Sequence, residues 1–140
     1  MYPYLEHANL HVVDVAGLVD FITIACPSFT VRYDSGVDDP ERWVHLGDDR
    51  VYLAIYRATV SSADPWKPYS GKPGLNHLGF VVDDVEAVRR RLLDHGYRET
   101  TLVNHHPARK RIYFNDAEGN DWEFIEYLTD DLSLRNDYSR

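Results

Sequence analysis

Two stretches that resemble each other decide the fold: LEHANLHVVDV at residues 5–15 and LNHLGFVVDDV at residues 75–85. They begin seventy residues apart in a chain of 140 residues. Each has a Leu-x-His opening, and each reaches an Asp-Val pair after an apolar segment. Because similar segments at a fixed spacing are typical of duplicated structural units, the sequence predicts two copies of one module.

The opening segment of each copy has the alternating pattern of a β-strand. In the first copy, Leu10 and Val12 share one face and His7 lies on the other. In the second copy, His77 likewise lies opposite the apolar side chains. Each strand therefore presents its early His on the face away from its apolar stripe.

A helix is predicted directly after each of these strands. Asp14 and Asp84 occupy the positions of helix N-caps, and apolar residues follow both at helical spacing. Pro27 is expected to end the first helix, and Gly96 the second.

Three more strands are predicted in each half, so that each half is a β-α-β-β-β unit of an α+β protein. They lie near residues 29–33, 42–46 and 51–57 in the first half, and near 97–103, 109–114 and 121–128 in the second. We interpret residues 1–140 as a single domain with module one at about 4–60 and module two at about 75–128. Between them, residues 61–74 are rich in Pro, Gly and Ser and are typical of a linker. The polar tail at 129–140 is expected to form a short helix or to pack as an arm.

The charge balance disfavours two classes of partner. Lys and Arg total 15 against 23 for Asp and Glu, a net charge of −8, which disfavours nucleic acid and anionic membrane surfaces. The single cysteine, Cys26, cannot form an internal disulfide. With no secretory signal pattern at its start and no apolar run of transmembrane length, the chain is expected to be cytoplasmic.

The last predicted strand carries one acidic residue opposite a bulky apolar face. Trp122, Phe124 and Leu128 form that face, and Glu123 points the other way, as His77 does on its own strand. If both apolar faces pack under the helix, both polar side chains enter the same concavity.

Three segments resemble the vicinal oxygen chelate superfamily, which includes glyoxalase I, fosfomycin-resistance proteins, bleomycin-resistance proteins and type I extradiol dioxygenases. They are EHANLHVVDV at 6–15, NHLGFVVDDV at 76–85 and YFNDAEGNDWEFIEY at 113–127. The third departs from the usual Asp-Pro-Asp-Gly-Asn turn in having Ala117 and Glu118. The resemblance spans roughly residues 4–128. It implies tandem modules whose curved mixed sheets surround a metal-binding cleft.

The resemblance also implies a ligand set. His7, His77 and Glu123 match the metal-ligand positions of the family. Glyoxalase I enzymes usually place a fourth ligand on the strand near 51–57, whose cleft face here has no carboxylate or imidazole: Tyr52, Ala54 and Tyr56. Two imidazoles and one carboxylate leave coordination positions open, and suit Fe(II), Mn(II), zinc or nickel.

From this set we predict a divalent-metal enzyme acting on a small substrate that chelates through oxygen. Because the fourth ligand is missing, dioxygenase-like chemistry is placed ahead of glyoxalase-like, lyase or isomerase chemistry. Tyr113 matches a tyrosine that assists catalysis in extradiol dioxygenases, although an ordinary aromatic of that strand explains it as well.

Two alternatives stay open. One is a fosfomycin-type thiol transferase, for which only the basic run at 109–111 could bind a phosphonate, and a solvated strand edge explains that run equally well. The other is a metal-free binding protein of the bleomycin-resistance kind, whose flat ligand would contact aromatic side chains. The candidates for that contact are Tyr52, Tyr56, Trp66 and Tyr69.

The remaining histidines are given mainly structural roles. His11 either lines the cleft or is structural. His45 has no repeated counterpart, and His95 suits the end of a helix. His105 and His106 lie near the position of an acid-base histidine in the dioxygenases, but a surface loop is the better interpretation.

The module arrangement also predicts assembly. In similar two-module proteins, module one of one chain commonly pairs with module two of its partner. We therefore expect a two-fold symmetric homodimer in which each site takes His7 from one subunit and His77 with Glu123 from the other.

Overall fold

The computed structural model describes residues 2–63, 65–103 and 105–139, which divide into two compact units, Met1–Trp66 and Lys67–Arg140. These units are called module one and module two below. Module one contains β1 (His7–Val12), α1 (Val15–Ala25), β2 (Thr30–Asp34), β3 (Trp43–Gly47) and β4 (Tyr52–Arg57). Module two contains β5 (His77–Val81), α2 (Val85–Asp94), β6 (Arg98–Glu99), β7 (Arg109–Asn115), β8 (Asp121–Tyr127) and α3 (Leu132–Arg135). In the ranges described, no helix has the length and apolar character needed to cross a membrane.

Both modules have the same topology. Their four-stranded sheets have the orders β1-β4-β3-β2 and β5-β8-β7-β6. The first strand of each pairs in parallel with the last, and the other pairings are antiparallel. The predicted α+β class with two β-α-β-β-β units is confirmed.

The helices begin where the sequence predicts. The Asp14 carboxylate accepts a hydrogen bond from Gly17 N at 2.9 Å, and Asp84 accepts from the first-turn amides of α2. Gly96 follows α2 with φ +80°, a conformation that glycine adopts without strain. The buried face of each helix packs on its own sheet: Val15, Leu18, Phe21, Ile22 and Ala25 in α1, and Val85, Val88 and Leu92 in α2.

Two expectations for module two were wrong. The strand predicted at 97–103 is only the two-residue β6, because the Thr101 hydroxyl, instead of a backbone carbonyl, accepts the hydrogen bond from Tyr113 N at 2.9 Å. Leu128 does not share the apolar face of Trp122 and Phe124. It follows the end of β8 and is 49% exposed, whereas those two are buried.

The turn between β7 and β8 is built around one buried carboxylate. Asp116 accepts hydrogen bonds from Glu118 N, Asn120 N and Trp122 Nε1, at 2.9, 3.0 and 3.1 Å. Gly119 turns the chain with φ +87°. The turn thereby sets the register in which Tyr113 pairs with Glu123.

Replacing this carboxylate should destabilise the protein. Asp116→Ala removes the carboxylate that accepts from the buried Trp122 N–H and from two amides of the turn, which costs about 2 kcal/mol of unfolding free energy. The urea unfolding midpoint of the variant measures the loss. Asp130→Ala, which removes an exposed partner of Arg135, is the control and should leave the midpoint nearly unchanged. Equal midpoints for the two variants would contradict this role for Asp116.

Candidate metal centre in module two

Two of the predicted ligands are in contact in module two. The parallel pairing of β5 and β8 sets His77 opposite Asp121 and Gly79 opposite Glu123. His77 and Glu123 are therefore diagonal neighbours on one face, and Nε2 lies 3.0 Å from Oε2. A Cβ at Gly79 would lie 3.5 Å from that oxygen, an ordinary van der Waals contact, so the carboxylate lies directly against this residue.

The other nitrogen of His77 is hydrogen-bonded to Tyr69. The Tyr69 hydroxyl lies 2.6 Å from Nδ1 and 3.0 Å from Asp121 Oδ2. Because an ionised carboxylate only accepts hydrogen bonds, the hydroxyl donates to Asp121 and accepts from Nδ1–H. This network places a proton on Nδ1, so in the neutral imidazole the lone pair is on Nε2, directed at Glu123.

Asp121 is buried and fixed by further donors. Its Oδ1 accepts from Thr100 Oγ1 at 2.9 Å and from Asn115 Nδ2 at 3.2 Å. Burial, together with the hydrogen bond to Asp121, raises the pKa of Tyr69 to about 12. Tyr69 is therefore a neutral phenol at physiological pH and can hold both hydrogen bonds.

Tyr113 adjoins both predicted ligands. It pairs with Glu123 across β7 and β8, and its ring packs edge-on against His77 with centroids 5.5 Å apart. Burial, and then its hydrogen bond to Glu123, raise the pKa of Tyr113 well above the usual value for a phenol. At neutral pH this residue can donate a hydrogen bond but cannot act as a phenolate base.

These groups open onto a cavity of about 650 Å³ within module two. Its wall includes Tyr69, His77 and Tyr113 together with two cationic side chains, Arg98 and Arg111. The volume is in the range of small-molecule sites. Guanidinium groups are suited to bind carboxylates and phosphates, and the same wall also includes the Asp121 carboxylate.

The basic run at 109–111 is divided by the alternation of β7. Arg111 faces the cavity, with Nε 4.0 Å from Glu123 Oε1. Lys110 lies 3.5 Å from Glu126, and Arg109 donates to the Arg135 carbonyl at 3.4 Å. Only Arg111 of the run lines the cavity.

The donor atoms of His77 and Glu123 fit a divalent metal ion. Two atoms bound about 2.1 Å from one ion, at right angles, lie about 3.0 Å apart, which is the separation observed. Two lone pairs that face each other at this distance repel, and either a proton on Nε2 or a metal ion between them removes the repulsion. Among the described residues of module two, no third His, Cys, Asp or Glu joins them in a group that could hold a metal ion.

His7 begins β1 of module one, in a different setting. Its Nδ1 lies 3.0 Å from Glu6 Oε2, and its ring stacks on Tyr52 with centroids 4.9 Å apart. His7 pairs with Tyr52 as His77 pairs with Asp121, and the counterpart of Glu123 is the buried Ala54. Module one thus has an aromatic ring and a methyl group where module two has two carboxylates.

The aromatic residues of module one form a connected cluster. Trp43 lies between Tyr33 and Tyr56, with centroid distances of 4.4 and 5.9 Å, and His45 lies 4.6 Å from Tyr52. The cluster also includes His7 and His11, the latter edge-on to Tyr56. The burial of His45, followed by the nearby Arg32 and His7, lowers its pKa, so it is a neutral imidazole at physiological pH.

Tyr113 occupies the matching position in module two, so no second histidine repeats His45. His45 pairs with Ala54 as Tyr113 pairs with Glu123. The two side chains differ in type, and only the strand register shows that their positions match.

The other histidines differ in role. His95 bonds the Arg91 carbonyl at 2.7 Å at the end of α2, as expected. His105 is exposed, but the surface position predicted for His106 was wrong. His106 is buried because its ring joins the tail to the start of β7: Nδ1 accepts from Ala108 N and Nε2 donates to the Asp137 carbonyl.

Sequence reasoning missed two members of the site, Tyr69 and Asp121, in these roles. A register argument could have identified Asp121, since it is the residue opposite His77. Tyr69 lies in the segment interpreted as a linker, eight residues before His77, and its contact depends on a loop conformation that the sequence pattern does not specify.

Comparison with known proteins shows what the chain is similar to. A family model described as the Glyoxalase/Bleomycin resistance protein/Dioxygenase superfamily matches residues 28–124. No curated protein matches the sequence.

The similar solved structures share the fold at low identity. A glyoxylase/bleomycin resistance protein/dioxygenase domain from Frankia sp. EAN1pec is 18% identical with a TM-score of 0.72, over 91% of this chain and 99% of that one. A glyoxalase family protein from Bacillus cereus is 14% identical with a TM-score of 0.74, over 92% and 97%. A mutant of the fosfomycin resistance protein FosX from Listeria monocytogenes, complexed with Mn(II) and a dihydroxypropylphosphonic acid, is 18% identical with a TM-score of 0.67, over 97% and 99%.

The raised pKa of Tyr113 predicts that this phenol does not ionise in the usual pH range of tyrosine. A phenol whose pKa is raised in the fold stays protonated through the usual range near about 10. Tyr113→Phe should therefore leave the absorbance change at 295 nm between about pH 9 and pH 11 equal to that of the parent protein. A loss of one tyrosine's amplitude over this range would show that Tyr113 ionises normally.

Proposed function

Because the chain belongs to the Glyoxalase/Bleomycin resistance protein/Dioxygenase superfamily, we propose that it is a divalent-metal-dependent enzyme acting on a small, anionic, oxygen-chelating substrate. The observation that carries the proposal is the 3.0 Å approach of His77 Nε2 and Glu123 Oε2 beside a cavity with two arginines. His77 and Glu123 would hold the ion, and His7 is proposed as the third ligand. Fe(II), Mn(II), zinc and nickel all suit such a set.

When bound, the ion supplies Lewis-acid chemistry to the substrate oxygens. The protein's own residues bind and orient the substrate. Arg98 and Arg111 would bind its anionic group, and the Tyr113 hydroxyl would donate a hydrogen bond to an oxygen that gains negative charge. Because the pKa of Tyr113 is raised, the residue keeps its proton and remains a hydrogen-bond donor at neutral pH.

We place dioxygenase-like chemistry first and glyoxalase-like or lyase chemistry second. The counterpart of Glu123 in module one is Ala54, which offers no fourth protein ligand and leaves more positions for substrate oxygens. Fosfomycin-type thiol transfer stays a candidate because Arg98 and Arg111 suit a phosphonate. We further propose a cytoplasmic homodimer.

A substrate panel separates these reactions. Protein loaded anaerobically with Fe(II) is tested for oxygen uptake with catechols, and protein loaded with Mn(II), Zn(II) or Ni(II) is tested with a methylglyoxal–thiol adduct and with fosfomycin plus a thiol. Oxygen uptake with a catechol supports the leading reaction. Turnover of either other substrate identifies the corresponding class instead.

Metal content tests the ligand assignment. Protein purified without chelators should contain about one divalent ion per chain, and His77→Ala or Glu123→Ala should lose it. His95→Ala is the matched control, because that imidazole bonds a helix carbonyl and should leave metal content unchanged. Elemental analysis gives the stoichiometry. Full metal content in both ligand variants would overturn the assignment.

Subunit mixing tests where His7 acts. If each site combines two chains, inactive His7→Ala and inactive Glu123→Ala proteins should regain metal binding at one site per mixed dimer. The chains carry different affinity tags, so that mixed dimers can be isolated and analysed. Mixed dimers that bind no metal would show that each site is built within one chain.

The aromatic cluster of module one favours a second candidate, a metal-free binder of flat molecules. Trp43, His45, Tyr52 and Tyr56 present connected ring faces, and Arg32 lies over the Tyr52 ring at 4.5 Å. Tyr69, by contrast, is engaged with His77. Bleomycin titrated into chelator-treated protein, followed by tryptophan fluorescence, tests this candidate. Binding that survives His77→Ala but is lost in Tyr52→Ala supports it, whereas no binding excludes it.

A further inference from the structure

We propose that Tyr69, together with Asp121, is a positioning residue that fixes the tautomer and ring orientation of His77, so that Nε2 is its metal-binding nitrogen. The inference rests on the proposed function for the metal and extends it to a residue outside the ligand set. Histidines that bind metals commonly donate their other N–H to a group that fixes the ring. Here that group is the hydroxyl of Tyr69, which donates in turn to the buried carboxylate of Asp121.

The direction of the hydrogen bonds follows from Asp121. Thr100 and Asn115 donate to Oδ1 of this carboxylate, so the Tyr69 hydroxyl supplies the donor to Oδ2. The hydroxyl has one proton to give, and it must therefore accept from Nδ1 of His77 at 2.6 Å. The hydrogen bonds therefore run in one direction: His77 Nδ1–H donates to the Tyr69 oxygen, and the Tyr69 hydroxyl donates to Asp121.

The backbone of Tyr69 is held in an unusual conformation. Its φ is +59°, in the left-handed region that bulky residues rarely adopt. Tyr69 N donates to Asn76 Oδ1 at 2.8 Å, which ties the loop to the residue before β5. Such strain persists only where surrounding contacts hold it, and it is found preferentially at functional sites. The loop is thus held where its hydroxyl meets His77.

Module one provides an internal comparison. His7 occupies the position of His77, but its Nδ1 meets the exposed neighbour Glu6, and the residue opposite it in the sheet is Tyr52. Among the described residues, no tyrosine that is hydrogen-bonded to a carboxylate bonds Nδ1 of His7, as Tyr69 bonds Nδ1 of His77. Of these two histidines, His77 has its ring fixed by a phenol and a carboxylate, and His7 does not within the described residues.

Without the phenol, His77 has a competing arrangement. Its proton can move to Nε2, and Nε2–H then donates to Glu123 Oε2 at the same 3.0 Å. That hydrogen bond occupies both donor atoms that would bind the ion. Asp121→Asn has a similar effect, because an amide N–H can donate to the Tyr69 oxygen and turn the hydroxyl proton towards Nδ1.

The test measures the tautomer and the metal separately. Nitrogen-15 chemical shifts of His77 in metal-free protein near pH 8 report which nitrogen carries the proton, and calorimetric titration with Mn(II) reports affinity. The parent protein should show Nδ1–H. Tyr69→Phe and Asp121→Asn should shift the population towards Nε2–H and weaken Mn(II) binding by about 10- to 100-fold. Tyr138→Phe, at an 81% exposed tyrosine, is the control and should change neither.

The outcomes distinguish the two proposals. An Nε2–H tautomer in the parent protein, or an unchanged tautomer in both variants, overturns the positioning role whatever the metal does. If the tautomer shifts as expected but the parent protein binds no Mn(II), Zn(II) or Fe(II), the positioning role stands and the proposed metal function fails. Weaker Mn(II) binding with an unchanged tautomer assigns Tyr69 a merely structural effect and also overturns the inference.

Discussion

The candidate site depends on the parallel pairing of β5 with β8. Side chains on one face of a sheet recur every second residue, so this register brings His77, Asp121 and Glu123 to the same face of the sheet. A shift of one residue would turn Glu123 towards the core and expose Trp122 and Phe124, which are buried. The hydrophobic core and the polar site are therefore specified by the same register, and the burial of two aromatic rings holds the two donor atoms together.

Duplication explains the shared strand order of the two modules but not the different side chains at their matching positions. The two sheets have the same strand order and equivalent registers, so each site position on the strands of module two has a counterpart in module one. At those counterparts the side chains are Tyr52 for Asp121, Ala54 for Glu123 and His45 for Tyr113. Module one is aromatic and neutral where module two is acidic and hydrogen-bonded. The same backbone thus supports a stacking surface in one copy and a candidate cation site in the other.

The site of module two is organised by burial as much as by charge. Asp121 and Glu123 are both buried, and each is accompanied by donors that offset the loss of water: Thr100, Asn115 and Tyr69 around the first, and Tyr113 and Arg111 near the second. Desolvation of the hydroxyls and the neighbouring carboxylates raise the pKa of both Tyr69 and Tyr113, so each phenol remains a donor. Apart from Arg111, the groups around the two carboxylates are neutral hydrogen-bond donors, which leave negative charge available to a cation.

The sequence alone determined the repeated topology, the helix caps and two of the contacting site residues. Period-2 alternation and the Asp-Val helix starts are local signals, and the faces of His77 and Glu123 follow from the parity of their strands. Local patterns do not determine how long a strand remains paired, and Thr101 shortened β6 through a side-chain hydrogen bond. They also do not reveal contacts made by loops. His106 is buried against the tail, and Tyr69 reaches His77 from a left-handed backbone conformation within a segment interpreted as a linker. Only the tertiary structure decided those contacts, because they join side chains whose separation in space depends on the path of the whole chain between them.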